Sequence, residues 1–193
     1  MKNFKIFFRK TLLETPRNTG EFESEYSDTA IAQKQYKDIF DNPDDYKLVF
    51  QLYETHPVYL YENVEGNDVS CYFVPKNDDF IYGYATYELR DDGGIEMCSV
   101  YNRPMYYGLA QSVYNNYIIP KYNYILSNSH HSLNGRGFWR KLVMSNAGKR
   151  HIDIWDIRDN ISVKDVKSLK DLDEFYGNFE KFEKYRIRIS NEF

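Results

Sequence analysis

Apolar and polar residues alternate from Val69 to Pro75 and again from Phe80 to Arg90, which predicts two antiparallel strands joined by the turn Lys76-Asn-Asp-Asp79. A third β-rich run, Gly94 to Val100, feeds the turn Ser99-Val-Tyr-Asn-Arg-Pro-Met-Tyr-Tyr-Gly-Leu-Ala110. The pattern then changes to helical spacing from Leu109 to Ile119, returns to a short apolar strand from Tyr122 to Ser127, and becomes helical again around Gly137 to Leu142. A β-rich run from His151 to Ile157 closes the series, giving hairpin, third strand, helix, strand, helix, strand.

The flanks are patterned as well. Phe4 to Leu13 predicts a first strand, closed by Pro16 and Asn18-Thr-Gly20. Asp28 or Thr29 caps a helix from Ala30 to Phe40, and Asp41-Asn-Pro-Asp-Asp45 ends it. Tyr46 to Tyr53 fits a strand or a helix; Val58 to Asn63 fits a strand with Glu65-Gly66-Asn67 as its turn. Val163, Val166, Leu169, Leu172 and Phe175 fall at helical spacing, so Ser162 to Tyr176 predicts a helix. Lys184 to Ser190 alternates strictly, with Ile187 and Ile189 facing a core and Arg186 and Arg188 facing solvent. The expected class is α+β (α/β). Residues 1–193 read as one domain: an N-terminal strand and helices over 1–68, a core over 69–157, and a C-terminal helix and strand over 158–193.

Gly108 stands where the turn opens into the helix. A glycine there lets backbone N–H groups approach an anion, because the first N–H groups of a helix have no partner of their own. A tight strand–helix turn without a ligand is the plainer alternative, since short glycine motifs are weakly specific.

The stretch from Val69 to Ile157 resembles the GCN5-related N-acetyltransferase (GNAT) superfamily. Gly108-Leu109-Ala110 matches the end of that family's pyrophosphate loop, and Val100 sits where the strand gives way to it. The family's Gln or Arg three residues before the glycine is Met105 here, with Arg103 nearby but out of register. Ser132 takes the position of a family Asn, Trp139 that of a Tyr, and Val143-Met144 that of Gly-Phe. The resemblance implies a mixed, mostly antiparallel central sheet flanked by helices, with acetyl-CoA as cosubstrate, held by Cys98, Val100, Arg103, Gly108, Leu109 and Ala110. It also implies an acceptor amine entering over the Ala30 to Phe40 helix. The family's Tyr is often the acid that protonates the leaving thiolate, and an indole N–H is a donor but not a usable acid.

Composition narrows the classes. A net charge of −4 argues against a general electrostatic grip on nucleic acid, which needs clustered Lys and Arg. No run approaches the roughly 20 apolar residues needed to cross a bilayer. The apolar part of Met1 to Lys10 is too short for a signal peptide, so a cytoplasmic location is expected. Cys71 and Cys98 lie within strands and form neither a metal pattern nor a disulfide framework, so no metal is expected. The 19 tyrosines fit either β-rich structure in an AT-biased coding sequence or a contact face built from Tyr101, Tyr106, Tyr107, Tyr114 and Tyr117.

The resemblance implies that Glu96, on the strand before the turn, takes a proton from the acceptor amine, by itself or through water; a solvent-facing Glu is the alternative. Simple alternation puts Glu96, Cys98 and Val100 on one face of that strand. His130 and His131 end the strand after the first helix, and His130 is a second candidate acid or base, against a polar turn. Trp139 fits a core residue or a wall of an acyl pocket. Arg136, Arg140 and Lys141 fit a solvated face or contacts to coenzyme phosphates. Two functions follow: acyl-CoA-dependent N-acyl transfer to an unknown amine, or binding by a non-catalytic protein of this fold. The second is similar to phage-encoded acetyltransferase-like proteins, with a capsid, tail or host protein or a second copy as partner, in host cytoplasm or virion.

Overall fold

The computed structural model describes residues 28–53, 57–129, 131, 133–176 and 184–191. The chain folds as a mixed α+β structure around a nine-stranded, mostly antiparallel sheet. The strand expected over Phe4 to Leu13 lies outside the described residues, as do His130 and Ser132.

Helix α1 (Thr29–Asp41) begins where Asp28 accepts a 2.8 Å hydrogen bond from the Ala30 N–H, which satisfies one of the orphan donors of its first turn. Five strands then form a continuous meander: β1 (Lys47–Leu52), β2 (Val58–Glu65), β3 (Asp68–Pro75), β4 (Gly83–Leu89) and β5 (Ile95–Asn102). Gly66, at φ 61°, makes the tight turn between β2 and β3.

After β5 come a 3₁₀ turn (Pro104–Tyr106), helix α2 (Leu109–Val113), a π-helical turn (Tyr114–Ile118) and a last helical turn, α3 (Ile119–Lys121). Strand β6 (Tyr124–Leu126) is short and parallel to β5. Helix α4 (Leu133–Asn146) leads to β7 (His151–Asp156), β8 (Ile161–Asp165), α5 (Leu169–Tyr176) and β9 (Tyr185–Ser190). The spatial order is β1-β2-β3-β4-β5-β6-β9-β7-β8, so β9 lies between two strands that precede it in the chain.

Two apolar layers sandwich the sheet. On one face Leu60, Cys71, Phe73, Ala85, Tyr87 and Met97 meet α2, the π-helical turn, α4 and α5 through Leu109, Tyr114, Ile118, Trp139, Leu142 and Leu172. On the other face α1 buries Ala32 and Ile39 against Val74, Ile81 and Tyr84. Each fully buried large side chain contributes roughly 1.5–3 kcal/mol through removal of its surface from water.

Three expectations are corrected. The helix expected over Ser162 to Tyr176 forms only from Leu169; Ile161–Asp165 is instead an edge strand paired antiparallel with β7. Asn160, at φ 54°, turns the chain into that hairpin, and Val163 is half exposed rather than part of an apolar helix face. Glu96, Cys98 and Val100 do not share a face. Thr86 opposes Ser99 while Tyr87 opposes Met97, so Cys98 is an extra residue, and this bulge puts Val100 on the face of Met97 and opposite to Glu96. Arg186 and Arg188 are not in solvent: Arg186 is buried, and both are ion-paired.

Candidate functional site

Strands β5 and β6 pair through two residue pairs only, Ile95–Ile125 and Glu96–Leu126. Strand β5 continues to Asn102, and among the described residues its edge beyond Glu96 has no strand partner on the β6 side. That edge carries backbone donors and acceptors which a ligand strand or amide chain can use. The Asn128 side-chain amide reaches across and donates to the Cys98 carbonyl at 3.1 Å, at the bulge itself. Spacing alone gave no reason to single out Asn128.

The Gly108 turn stands at the end of the same strand. Gly108 has φ 84°, in the left-handed region, and a Cβ placed on it would meet nothing within 4 Å. Space beside the Gly108 Cα is therefore open, and the first helical hydrogen bond runs from the Ser112 N–H to the Gly108 carbonyl at 2.9 Å. The N–H groups of Leu109 and Ala110 precede it and have no helical acceptor. Asn102 donates its amide to the Arg103 and Tyr106 carbonyls, each at 3.0 Å, and so ties back two carbonyls that would repel an anion. Lys141 meets the Tyr107 hydroxyl and lies 4.2 Å from that ring's centroid, one residue from Gly108.

Arg103 is turned elsewhere. It donates to the Thr29 hydroxyl at 2.9 Å and lies 4.8 Å from the Phe80 ring centroid, so it anchors the start of α1. Val100 packs against the main core, and Leu109 and Ala110 are buried, their backbone alone facing the turn's chemistry. Cys98 is half-buried, with its thiol 3.9 Å from the Glu96 carbonyl oxygen.

Glu96 is engaged by two guanidinium groups, Arg186 at 3.0 Å and Arg90 at 3.6 Å. Because β6 lies between β5 and β9, the Arg186 pair crosses over the short strand and straps the sheet together. His130 lies outside the described residues. His131 stacks on Trp139 at 6.0 Å between centroids, and its Nδ1 is 2.9 Å from the Tyr176 hydroxyl.

Trp139 is fully buried, as the core reading expects, yet its indole N–H has no partner among the described residues. The Tyr114 hydroxyl and the Asn128 carbonyl oxygen are likewise buried without one among them. Burial pushes the Tyr114 phenol well above the ordinary tyrosine range, with the two cysteines adding to the effect, so it stays a protonated donor. Of the five crowded tyrosines, Tyr114 and Tyr117 belong to the core and only Tyr107 is broadly exposed. Arg140 pairs with Asp173 at 2.5 Å, and Arg136 lies 5.3 Å from the Tyr176 ring centroid.

A second polar centre was invisible to sequence reasoning. Glu62, 5% exposed, accepts from Lys121 at 2.7 and 2.8 Å, from Tyr117 at 2.9 Å, and from Tyr87. Its partners lie up to 59 residues away, and no local pattern joins them. Burial raises Tyr87 and Tyr117, and the nearby Glu62 carboxylate raises them further; hydrogen bonds to Glu62 and the tyrosines outweigh burial and hold Lys121 above the usual lysine range.

The chain matches no protein-family model and no curated protein. No group of three or more His, Cys, Asp or Glu that could hold a metal occurs among the described residues. Among them, no helix is long and apolar enough to cross a membrane.

Proposed function

We propose that this chain is a GNAT-like protein that binds an acyl-coenzyme A where β5 and β6 part, and that it transfers the acyl group to an amine. The observation carrying this reading is the parallel β5–β6 pair that ends after two residues beside an open, left-handed glycine at a helix start. In this reading the N–H groups of Leu109 and Ala110 hold the pyrophosphate, Lys141 adds a positive charge beside it, and the free β5 edge holds the amide arm. The coenzyme would supply an activated thioester. Backbone N–H groups near the Cys98 bulge are the donors available to a developing oxyanion there, and the Tyr114 hydroxyl is a buried donor on the neighbouring helix.

The second reading, a non-catalytic binder of the same fold, is favoured by Glu96 and Trp139. The first is clasped by two arginines, and the second offers no transferable proton. Calorimetry with acetyl-CoA separates the readings in two steps. Micromolar binding abolished by Gly108→Trp supports the coenzyme site, and thiol release with an amine panel then tests transfer. No heat at millimolar acetyl-CoA sinks the enzyme reading and leaves the binder.

A further inference from the structure

At the other end of the same helices lies a cleft of about 480 Å³. It opens between the π-helical turn and the end of α4, and it is distinct from the Gly108 turn. Asn115 is seven residues along the helix from Gly108, or about 10 Å at the ordinary rise. The cleft's lining holds hydroxyls, carboxamides and two cations, and no carboxylate.

Its polar groups are already oriented. The Asn146 amide, 3% exposed, donates to the Asn115 side-chain oxygen at 2.8 Å. Asn115 in turn donates to the Ser145 hydroxyl at 3.1 Å. The Arg150 Nε donates to the Asn146 side-chain oxygen at 2.9 Å, which fixes the guanidinium against the cleft wall. Neither Arg150 nor Lys149 has an ion-pair partner among the described residues. Burial depresses the Arg150 pKa, the mark of a partly desolvated cation with no counter-charge.

The end of α4 would normally repel an anion, because its last carbonyls carry partial negative charge. Here two of those carbonyls are occupied. The Asn146 carbonyl accepts from the Lys149 and Arg150 N–H groups at 3.0 and 3.1 Å, and the Val143 carbonyl from the Ala147 N–H at 2.9 Å; one residue earlier, the Leu142 carbonyl also accepts from the Asn146 amide at 2.8 Å and the Ser145 hydroxyl at 2.9 Å. On the opposite wall the helix departs from α geometry at Tyr114–Ile118, the turn that carries Asn115 and Asn116 into the lining. Such π turns concentrate at functional sites.

We propose that this cleft binds a phosphate monoester carried on a hydroxyl-rich body, a sugar phosphate or a nucleoside monophosphate. Arg150 and Lys149 take the phosphate, and Asn115, Asn116 and Ser145 take the hydroxyls. The volume suits a ligand of that size. The arrangement does not depend on the coenzyme reading, since it shares no group with the β5–β6 opening.

The test is amide NMR titration of the full chain with ribose 5-phosphate, AMP, ribose and inorganic phosphate. Saturable shifts on residues 112–116 and 145–150 are expected with the first two. Arg150→Gln weakens them by roughly 10–100-fold, the effect of losing a charge-assisted hydrogen bond. Lys149→Gln, an exposed residue whose loss leaves the fold intact, weakens them by about twofold to fivefold. Tighter binding of AMP identifies a nucleotide as the source, and tighter binding of ribose 5-phosphate a sugar phosphate. Inorganic phosphate matching both, shifts unmoved by either variant, or no saturation at about 10 mM overturns the proposal.

Discussion

The two halves of the sheet are held together by different means. The β1–β5 meander is joined by long antiparallel ladders, with eight registered pairs between β2 and β3 alone. Its buried polar centre is a single carboxylate, Glu62, gathered by tyrosines and one lysine. The β6–β9–β7–β8 half also has a full ladder, six pairs between β7 and β9, and adds ion pairs to it: Arg186 with Glu96, Arg188 with Asp153 at 2.7 Å, and Lys184 with Asp156 at 2.7 Å. The halves are coupled across the seam by the short β5–β6 ladder, the Glu96 strap, the Asn128 bond to the Cys98 carbonyl and the bonds of Tyr124 to Arg90 and Asp92.

The largest separation of the halves is expected with pH. Tyr87, Tyr117 and Lys121 are all raised in the fold. Their unfolded values lie near about 10, so above that pH the folded state binds more protons than the unfolded one and stability falls as pH rises. In the other half Asp156 is lowered because Lys184 and backbone N–H groups outweigh its burial, and Asp171 and Glu174 are lowered chiefly by Lys164. Their contribution is present above about pH 4 and is lost as pH falls through the depressed values. Hydrogen exchange read residue by residue should show the β7–β9 region opening before the meander in acid, while alkali loosens both halves, since Tyr124 and Lys184 are raised as well. Simultaneous opening in acid would erase the distinction.

Trp139→Ala should cost about 3–5 kcal/mol in urea unfolding, because a fully buried indole leaves a cavity. Glu62→Gln should cost about 3 kcal/mol, at the low end for a broken buried pair since Lys121 is partly hydrated, and its effect should be confined to meander amides. Glu96→Gln should cost about 1–2 kcal/mol and raise exchange on β6 and β9. If acyl transfer is found and survives this change, Glu96 is a strap and not a base. Gly108→Ala should be smallest, about 1 kcal/mol of left-handed strain, with no change on the far side of the seam.

The meander was legible because each strand reports its own half-buried face locally, as Val69, Cys71 and Phe73 do in β3. The Gly108 turn was legible because glycine is the residue its φ requires. What escaped depends on distant pairing. The valines at 163 and 166 fit a helical stripe, and only the Asn160 turn and the exposed edge of β7 decide for a strand. A bulge leaves no mark in composition, so the facing of Val100 could not be read from alternation. Arg186 and Glu96 are 90 residues apart, which is why arginines that alternate with isoleucines read as solvent-facing. The polar cleft joins residues about 30 apart on two helices, each an ordinary surface position when taken alone.

The place of β9 has a consequence for how the molecule is made. Strands β1 to β5 are neighbours in sequence and can zip together as they leave the ribosome, with only short loops to close. Strands β6 and β7 cannot share a sheet until residues 185–190 have been synthesised and inserted between them. The nascent chain therefore passes through a stage in which the meander is complete while β6 and β7 present bare edges, and those edges are where a chaperone would engage or misassembly would begin.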